Sequence, residues 1–70
     1  MKIYILVEAT YDYYKFLCNR AVNKDKQYLI DNWDKYSKYD YIDISKLSDK
    51  AKKQMMEDEV PHCYIEEWEV

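Results

Sequence analysis

The 70-residue sequence has no glycine, one proline and one histidine. Without glycine, tight turns must be formed by Asn, Asp, Ser or Pro61. Asp12, Asn19 and Asn23 are the candidates for left-handed backbone positions, because short polar side chains tolerate them best. No apolar run reaches the roughly 18 residues that cross a bilayer, and Lys2 precedes a strand-like pattern rather than signal-peptide features. We therefore expect a cytoplasmic protein without a membrane partner.

The sequence also lacks a recognisable catalytic or metal-binding pattern. His62 lies beside Cys63, so a Cys-His pair would need Cys18 from elsewhere in the chain, and no orienting group or oxyanion hole can be identified. Neighbouring strand residues point to opposite faces, so His62 and Cys63 cannot easily bind one zinc ion. In the absence of a secretory signal, we expect the two cysteines to be reduced. These observations predict a non-enzyme with no metal and no cofactor.

The length indicates a single domain, 1–70. A chain of this size buries only about 60% of the surface that its unfolded form exposes. Small chains of this kind often complete their cores by association. The apolar fraction of 49% and the charged fraction of 36% argue against a disordered chain.

The first 20 residues predict a β-hairpin with a turn near 11–13. Its arms, 2–10 and 14–20, are rich in β-branched and aromatic side chains, which suit a half-buried pleated surface. Two strands are marginal by themselves in water, so other elements must cover one face. Because strand side chains alternate, the first arm carries Ile3, Ile5 and Val7 on one face and Tyr4, Leu6 and Glu8 on the other.

A first helix is predicted from Lys24 to Tyr36. Leu29 and Trp33 recur at helical spacing behind an N-cap at Asn23, and Trp33 is expected to anchor the helix in the core. After this helix, 39–44 permits either a short fourth strand or an extended connector. We prefer the connector, with its two isoleucines turned inward.

A second helix is predicted from Leu47 to about Glu59. Ser45 or Ser48 would cap it, and Pro61 prevents its continuation. The alternating segment 63–70 then predicts a third strand. Antiparallel pairing of this strand with the first gives a three-stranded sheet of order 2-1-3 with both helices on one face, an α+β fold.

In that arrangement the other sheet face carries Tyr4 and Leu6 with some of Leu17, Tyr64 or Trp68. An apolar and aromatic patch of this size usually marks an interaction site. We therefore expect Tyr4 and Leu6 to form a self-association face, in a homodimer.

Nine tyrosines are more than so small a domain can bury. Tyr11 and Tyr13 lie at the hairpin turn, and Tyr39 and Tyr41 lie in the connector. Because aromatic residues are enriched at binding surfaces, these four are expected to contact a protein partner. Base stacking on the rings is an alternative, but no stripe of Lys or Arg accompanies them, which makes nucleic acid an unfavoured partner.

Charge divides the chain into two parts. Residues 1–53 hold all eleven basic residues and have a net charge of +3, whereas 54–70 holds six acids and no Lys or Arg, a net charge of −6. The acids either keep a terminal edge strand soluble, or Glu66, Glu67 and Glu69 dock into a basic groove of a partner protein. The asymmetry argues against binding of nucleic acid by the whole molecule.

Four segments toward the two ends of the chain have a recognisable pattern: Ile3–Val7, Tyr11–Tyr14, Ala21–Lys26 and Tyr64–Glu69. In these segments the chain resembles the small hairpin-helix-strand proteins that bacteriophages and prophages encode. Residues 37–59 are unmatched, and the glycine and serine of the family's turn are absent here. The resemblance implies a small accessory protein, often an inhibitor of a host defence or regulatory protein, in the host cytoplasm.

From these observations we expect a non-enzymatic protein-binding module that modulates an unidentified host protein. An alternative is a small homo-oligomer that sequesters a small ligand at a subunit interface, with the same aromatic patch as its wall. A weak nucleic-acid-binding module ranks third.

Overall fold

The structure, a computed structural model, describes residues 1–11 and 15–70. Strands β1 (Lys2–Tyr11), β2 (Lys15–Asn23) and β3 (His62–Glu69) form one antiparallel sheet of order β2-β1-β3. Helices α1 (Lys26–Asn32) and α2 (Asp49–Glu57) lie between β2 and β3 in the chain. The predicted α+β fold, strand order and pair of helices are confirmed. Asp12, expected at a left-handed turn position, lies outside the described residues.

β1 is the middle strand, and its register with β2 contains a bulge. Leu6 pairs with Ala21, and the next residue, Val7, pairs with Asn19. Arg20 is therefore the extra residue on β2, the arrangement that defines a β-bulge. The alternation predicted for the first arm of the hairpin holds along β1.

One face of the sheet, called here the α1 face, packs against α1. Its fully buried centre joins Leu6 of β1, Leu29 of α1 and Cys63 of β3. Trp33 packs against this centre, so its predicted role as a core anchor is confirmed. The other half-buried side chains that surround the centre are Tyr4, Ala21, Tyr36, Tyr41 and Ile65.

This packing corrects the hypothesis that Tyr4 and Leu6 form a self-association face. Leu6 is 0% exposed, and Tyr4 packs against the same buried cluster. The reason is that α1 covers the side of β1 to which both residues point, which leaves Leu6 no surface for a second subunit.

The connector between the helices passes around the outer edge of β3. Tyr41 forms an isolated parallel bridge with Cys63, in which the Ile42 amide donates to the Cys63 carbonyl and the Cys63 amide donates to the Asp40 carbonyl, both at 2.9 Å. The preferred connector is therefore confirmed, with a single bridge in place of a fourth strand. A short 3-10 turn, Ile44–Lys46, follows it.

This path places α2 on the opposite side of the sheet from α1. Met55 of α2 lines a cleft with Ala9, His62 and Tyr64, whose side chains all point away from the α1 face. The expectation that both helices share one sheet face is corrected accordingly. We call this second side the α2 face.

α1 is shorter than predicted because its N-cap lies later in the chain and its last predicted turn is not α-helical. Asp25 is the N-cap, and its carboxylate accepts from the Gln27 amide at 3.0 Å. Asn23, the predicted cap, instead accepts from the Asp25 amide at 2.8 Å and forms a turn before the helix. The predicted last turn is a 3-10 segment, Trp33–Lys35. Such tightening is common at helix ends.

α2 has a serine cap at its start and a left-handed residue after its end. The Ser48 hydroxyl accepts from the Ala51 amide at 3.1 Å. Beyond the C-cap, Glu59 has φ 52°, and the Val60 amide donates to the Met55 carbonyl at 3.2 Å. This is the hydrogen-bond pattern of a Schellman motif, in which glycine usually takes the left-handed position. Within residues 1–11 and 15–70, no helix is long and apolar enough to cross a membrane.

Candidate functional site

The α2 face contains an exposed apolar area that α2 does not cover. It comprises Ile3 and Ile5 of β1, Val22 of β2 and Trp68 of β3, and we call these four residues the open patch. Trp68 is 52% exposed and Val22 is 60% exposed, whereas the two isoleucines are half-buried. The residues are contiguous because Ile3 pairs with Trp68 and Ile5 pairs with Val22 across the strands.

Glu66 holds the Trp68 side chain beside this patch. The Trp68 indole Nε1 donates to Glu66 Oε2 at 3.0 Å, and the Tyr64 hydroxyl donates to Glu66 Oε1 at 3.3 Å. Burial and the Glu66 charge raise the pKa of Tyr64, so its hydroxyl stays protonated and remains a donor. The indole therefore has a fixed polar contact on one side while its ring is open to solvent.

Beside the open patch, α2 and the connector enclose a cleft of about 330 Å³ over the α2 face. We call it the α2 cleft. Ala9 lies at its sheet side and is fully buried, whereas Met56 on its helix side is 54% exposed. The remaining lining residues are Tyr11, Ile44, Leu47, Lys52, Met55, His62, Tyr64 and Glu66.

His62 is the buried polar residue of this cleft, with 7% of its surface exposed. Its Nδ1 lies 2.8 Å from the Val60 carbonyl oxygen. A carbonyl oxygen can only accept a hydrogen bond, so Nδ1 of His62 is the donor in this contact. The Tyr64 ring lies next to the imidazole, with 5.7 Å between the ring centroids.

A polar cluster around Glu8 on the α1 face connects parts of the fold to one another. The buried Glu8 carboxylate accepts from Arg20 at 2.9 Å and from the Ser37 hydroxyl at 2.7 Å. Burial alone would raise the pKa of Glu8, but the hydrogen bonds from Ser37 and Arg20 outweigh it and lower the pKa. Both carboxylate oxygens are already engaged, so Glu8 serves as an anchor between strands and connector.

The tyrosines predicted to contact a partner do not share one surface. Tyr11 lines the α2 cleft, whereas Tyr41 packs against the core of the α1 face, where burial raises its pKa. Tyr39 is half-buried, with the Lys38 ammonium 5.5 Å from the centre of its ring. Tyr13 lies outside the described residues.

The three predicted acids are divided between the two sheet faces. Glu66 points to the α2 face, whereas Glu67 and Glu69 point to the α1 face at the end of β3. Glu67 forms an ion pair with Lys2 at 3.2 Å, and this contact raises the pKa of Lys2. Only Glu66 therefore adjoins the open patch on its own face.

The two cysteines are free and flank Glu8 on either side. Cys18 pairs with Glu8 from β2 and Cys63 pairs with it from β3, so the whole of β1 lies between them. Two strand spacings, about 9.6 Å, exceed the roughly 7 Å between Cα atoms that a disulfide can span. Among the described residues, no group of three or more His, Cys, Asp or Glu could hold a metal ion.

Sequence reasoning did not identify the open patch or the α2 cleft. Trp68 and Val22 stand in different strands, and only their pairing with β1 brings them together. One usable signal was present, namely that Ile3, Ile5 and Val7 alternate on a face that a single short helix cannot cover completely. Comparison of the chain with protein-family models, with curated proteins and with solved structures found no match.

Proposed function

We propose that this chain is a non-enzymatic protein-binding module that docks its partner on the open patch. The observation that carries the proposal is a tryptophan, Trp68, with half of its surface exposed on a sheet face that also presents Val22 on the far side of β1. Tryptophan is among the residues that most often dominate binding energy at protein interfaces. A contiguous apolar patch on a small monomer is also typical of an interaction surface.

The geometry around Trp68 favours tight binding because the ring is held before a partner arrives. The bond from Nε1 to Glu66 satisfies the polar atom of the indole and restricts its rotation. Less side-chain freedom is then lost when the ring becomes buried in an interface. The half-buried Ile3 and Ile5 supply further apolar surface next to the ring.

The charge around the patch indicates the chemistry of the partner. Glu66 is the acid that adjoins the patch on its own face, whereas Glu67 and Glu69 of the same strand point to the α1 face. A segment of a protein with exposed apolar side chains and neighbouring Lys or Arg would complement this strand. The resemblance to phage accessory proteins suggests that the segment belongs to a host protein, whose activity this chain would inhibit or modulate.

The experiment compares affinity capture from a bacterial lysate by the wild-type chain, by Trp68→Ala and by Phe16→Ala. Phe16 is the matched control because its side chain is 55% exposed but points to the α1 face. We expect the wild type and Phe16→Ala to recover the same protein and Trp68→Ala to lose it. Binding of that purified protein to the chain should weaken as salt rises, because the charge of Glu66 contributes to recognition.

Recovery of the same proteins by all three baits would contradict the proposal. Sedimentation of the purified chain tests the alternative occupant, a second copy. A wild-type dimer that becomes monomeric only in Trp68→Ala would assign the open patch to self-association and would also overturn the proposal of a different protein partner.

A further inference from the structure

Strand β3 has an outer edge that the rest of the sheet covers only at its start. On this side the connector pairs with Cys63 alone, through the bridge to Tyr41, and then forms the 3-10 segment Ile44–Lys46. The neighbour of β3 within the sheet is β1, on its inner side. Beyond Cys63, no backbone group among residues 1–11 and 15–70 pairs with the outer edge. Such an edge is a template on which another strand can pair.

The backbone groups that this edge presents follow from the bridge. Both the N–H and the C=O of Cys63 bond to the connector, each at 2.9 Å, so both point away from β1. In an antiparallel pair, residues whose backbone groups face the partner strand alternate with residues whose groups face away from it. The N–H and C=O groups of Ile65, Glu67 and Glu69 therefore point outward as well. We call this set of three N–H and three C=O groups the β3 edge.

The β3 edge adjoins the open patch. The side chains of Glu66 and Trp68 stand on the α2 face, between the residues whose backbone groups point outward. A strand paired with the β3 edge would extend the sheet and place every second side chain on the same face, beside the exposed ring of Trp68. One extended segment can therefore contact both the backbone of the edge and the tryptophan of the patch.

The side chains on the other face of this edge are acidic. Glu67 and Glu69 are exposed and point to the α1 face, and β3 contains no Lys or Arg. Pairing with β3 of a second copy would place like charges on neighbouring strands, which is unfavourable in a sheet. Lys2 contacts Glu67 from the β1 side, so a cation on an added strand would approach from the opposite side. The charge of the edge thus favours a basic strand.

We propose that the protein partner of the open patch binds as an extended segment that adds a fourth strand to the β3 edge. Basic and apolar residues alternate in this segment. Its basic side chains lie beside Glu67 and Glu69, and its apolar side chains lie beside Trp68. The paired part is about five residues long, because the β3 edge runs from Ile65 to Glu69. This binding mode rests on the proposed function, since it specifies how the same partner engages the same region of the sheet.

The test is a titration of the 15N-labelled chain with a short peptide in which lysine and valine alternate. We expect saturable shifts of the amide signals of Ile65, Glu67 and Glu69, and slower hydrogen exchange at these amides because they become hydrogen-bonded. A control peptide with glutamate in place of lysine should not bind. The absence of saturable shifts, or shifts centred on β2, would overturn the proposal. Protection of these amides without peptide would assign the edge to a second copy and would also overturn it.

Two variants of Glu67 separate the backbone contact from the charge. Glu67→Pro and Glu67→Ala both remove the carboxylate, but only proline removes the outward N–H. Because this N–H does not bond to β1, proline suits the position, as it does on the solvent side of edge strands. We expect Glu67→Pro to bind the lysine peptide about tenfold more weakly than Glu67→Ala does. Equal affinities would overturn the proposal.

A modified peptide tests the same contact on the wild-type chain, whether or not Glu67→Pro folds. Methylation of every backbone nitrogen of the lysine–valine peptide keeps its side chains but removes the N–H groups that pair with a strand. The methylated peptide should produce no saturable shifts. Binding as tight as that of the unmodified peptide would overturn strand pairing.

The variants also distinguish a failure of strand pairing from a failure of the proposed function. A captured partner that Trp68→Ala loses, but that Glu67→Pro retains as well as Glu67→Ala does, would support the proposed function and overturn strand pairing. A captured protein that all three variants retain would contradict the proposed function.

Discussion

The Ser37 hydroxyl donates a 2.7 Å hydrogen bond to the carboxylate of Glu8, which stands 29 residues earlier in the chain. Glu8 belongs to the central strand, and Ser37 opens the connector that leads around the edge of β3. The bond therefore holds the start of the connector against the sheet. Arg20 binds the other oxygen of the same carboxylate, so the cluster also spans the bulge between β1 and β2.

Substitution Ser37→Ala should destabilise the fold by about 1–3 kcal/mol, because it leaves a buried carboxylate oxygen without its donor. Urea denaturation followed by tryptophan fluorescence measures the loss. Ser45→Ala is the matched control, since the Ser45 hydroxyl also donates to a carboxylate, that of Asp43 at 2.6 Å, but on the surface. Equal losses for the two variants would show that burial of Glu8 does not matter.

The pKa of Glu8 predicts how stability depends on pH. Because this pKa is lower in the folded chain than in the unfolded one, ionised Glu8 stabilises the fold above the unfolded value of about 4.3. That contribution should disappear as the pH falls through the lower, folded pKa. Glu8→Gln removes the titration, so the free energies of unfolding of the wild type and variant should converge in acid. A constant difference between pH 7 and pH 3 would contradict this assignment.

Glu59→Gly should stabilise the chain by about 1 kcal/mol. Glu59 has a left-handed backbone, which costs a residue with a side chain roughly 1–2 kcal/mol and costs glycine little. The change also removes an acid from a helix C-terminus, where negative charge is unfavourable. Thermal unfolding measures the effect. Glu57→Gly, at the last residue of α2, is the control and should lower the melting temperature.

The two cysteines should react with a thiol reagent at clearly different rates. Cys63 is fully buried, and its burial is the main cause that raises the pKa of its thiol, whereas Cys18 is half-buried. We expect Cys18 to react in the native protein and Cys63 to react only when the chain unfolds. Spectrophotometric counting of thiols with and without urea, on the wild type and on Cys18→Ser, distinguishes them. Rapid reaction of Cys18→Ser in buffer would be inconsistent with the buried position of Cys63.

The sequence by itself determined the secondary structure and the order of the strands. β-Branched and aromatic alternation fixed the hairpin and β3, and Ser48 with Pro61 bounded α2, because these are local preferences of backbone and side chain. The boundaries of α1 were predicted less exactly, because both Asn23 and Asp25 are suitable N-cap residues and the structure uses Asp25. The absence of glycine led us to expect left-handed positions at Asp12, Asn19 and Asn23. Within residues 1–11 and 15–70, however, the residue with positive φ is Glu59, so the expectation for Asn19 and Asn23 was wrong.

Only the tertiary structure decided which sheet face each helix covers. Both faces of β1 carry large apolar side chains, so alternation alone does not say whether Leu6 or Val7 meets α1. The connector decides which face each helix covers. It forms a bridge between Tyr41 and Cys63, and the chain therefore passes around the edge of β3. A contact between residues 22 positions apart has no local signal. The same crossing places α2 over His62 and leaves Trp68 exposed, and both candidate sites exist for that reason.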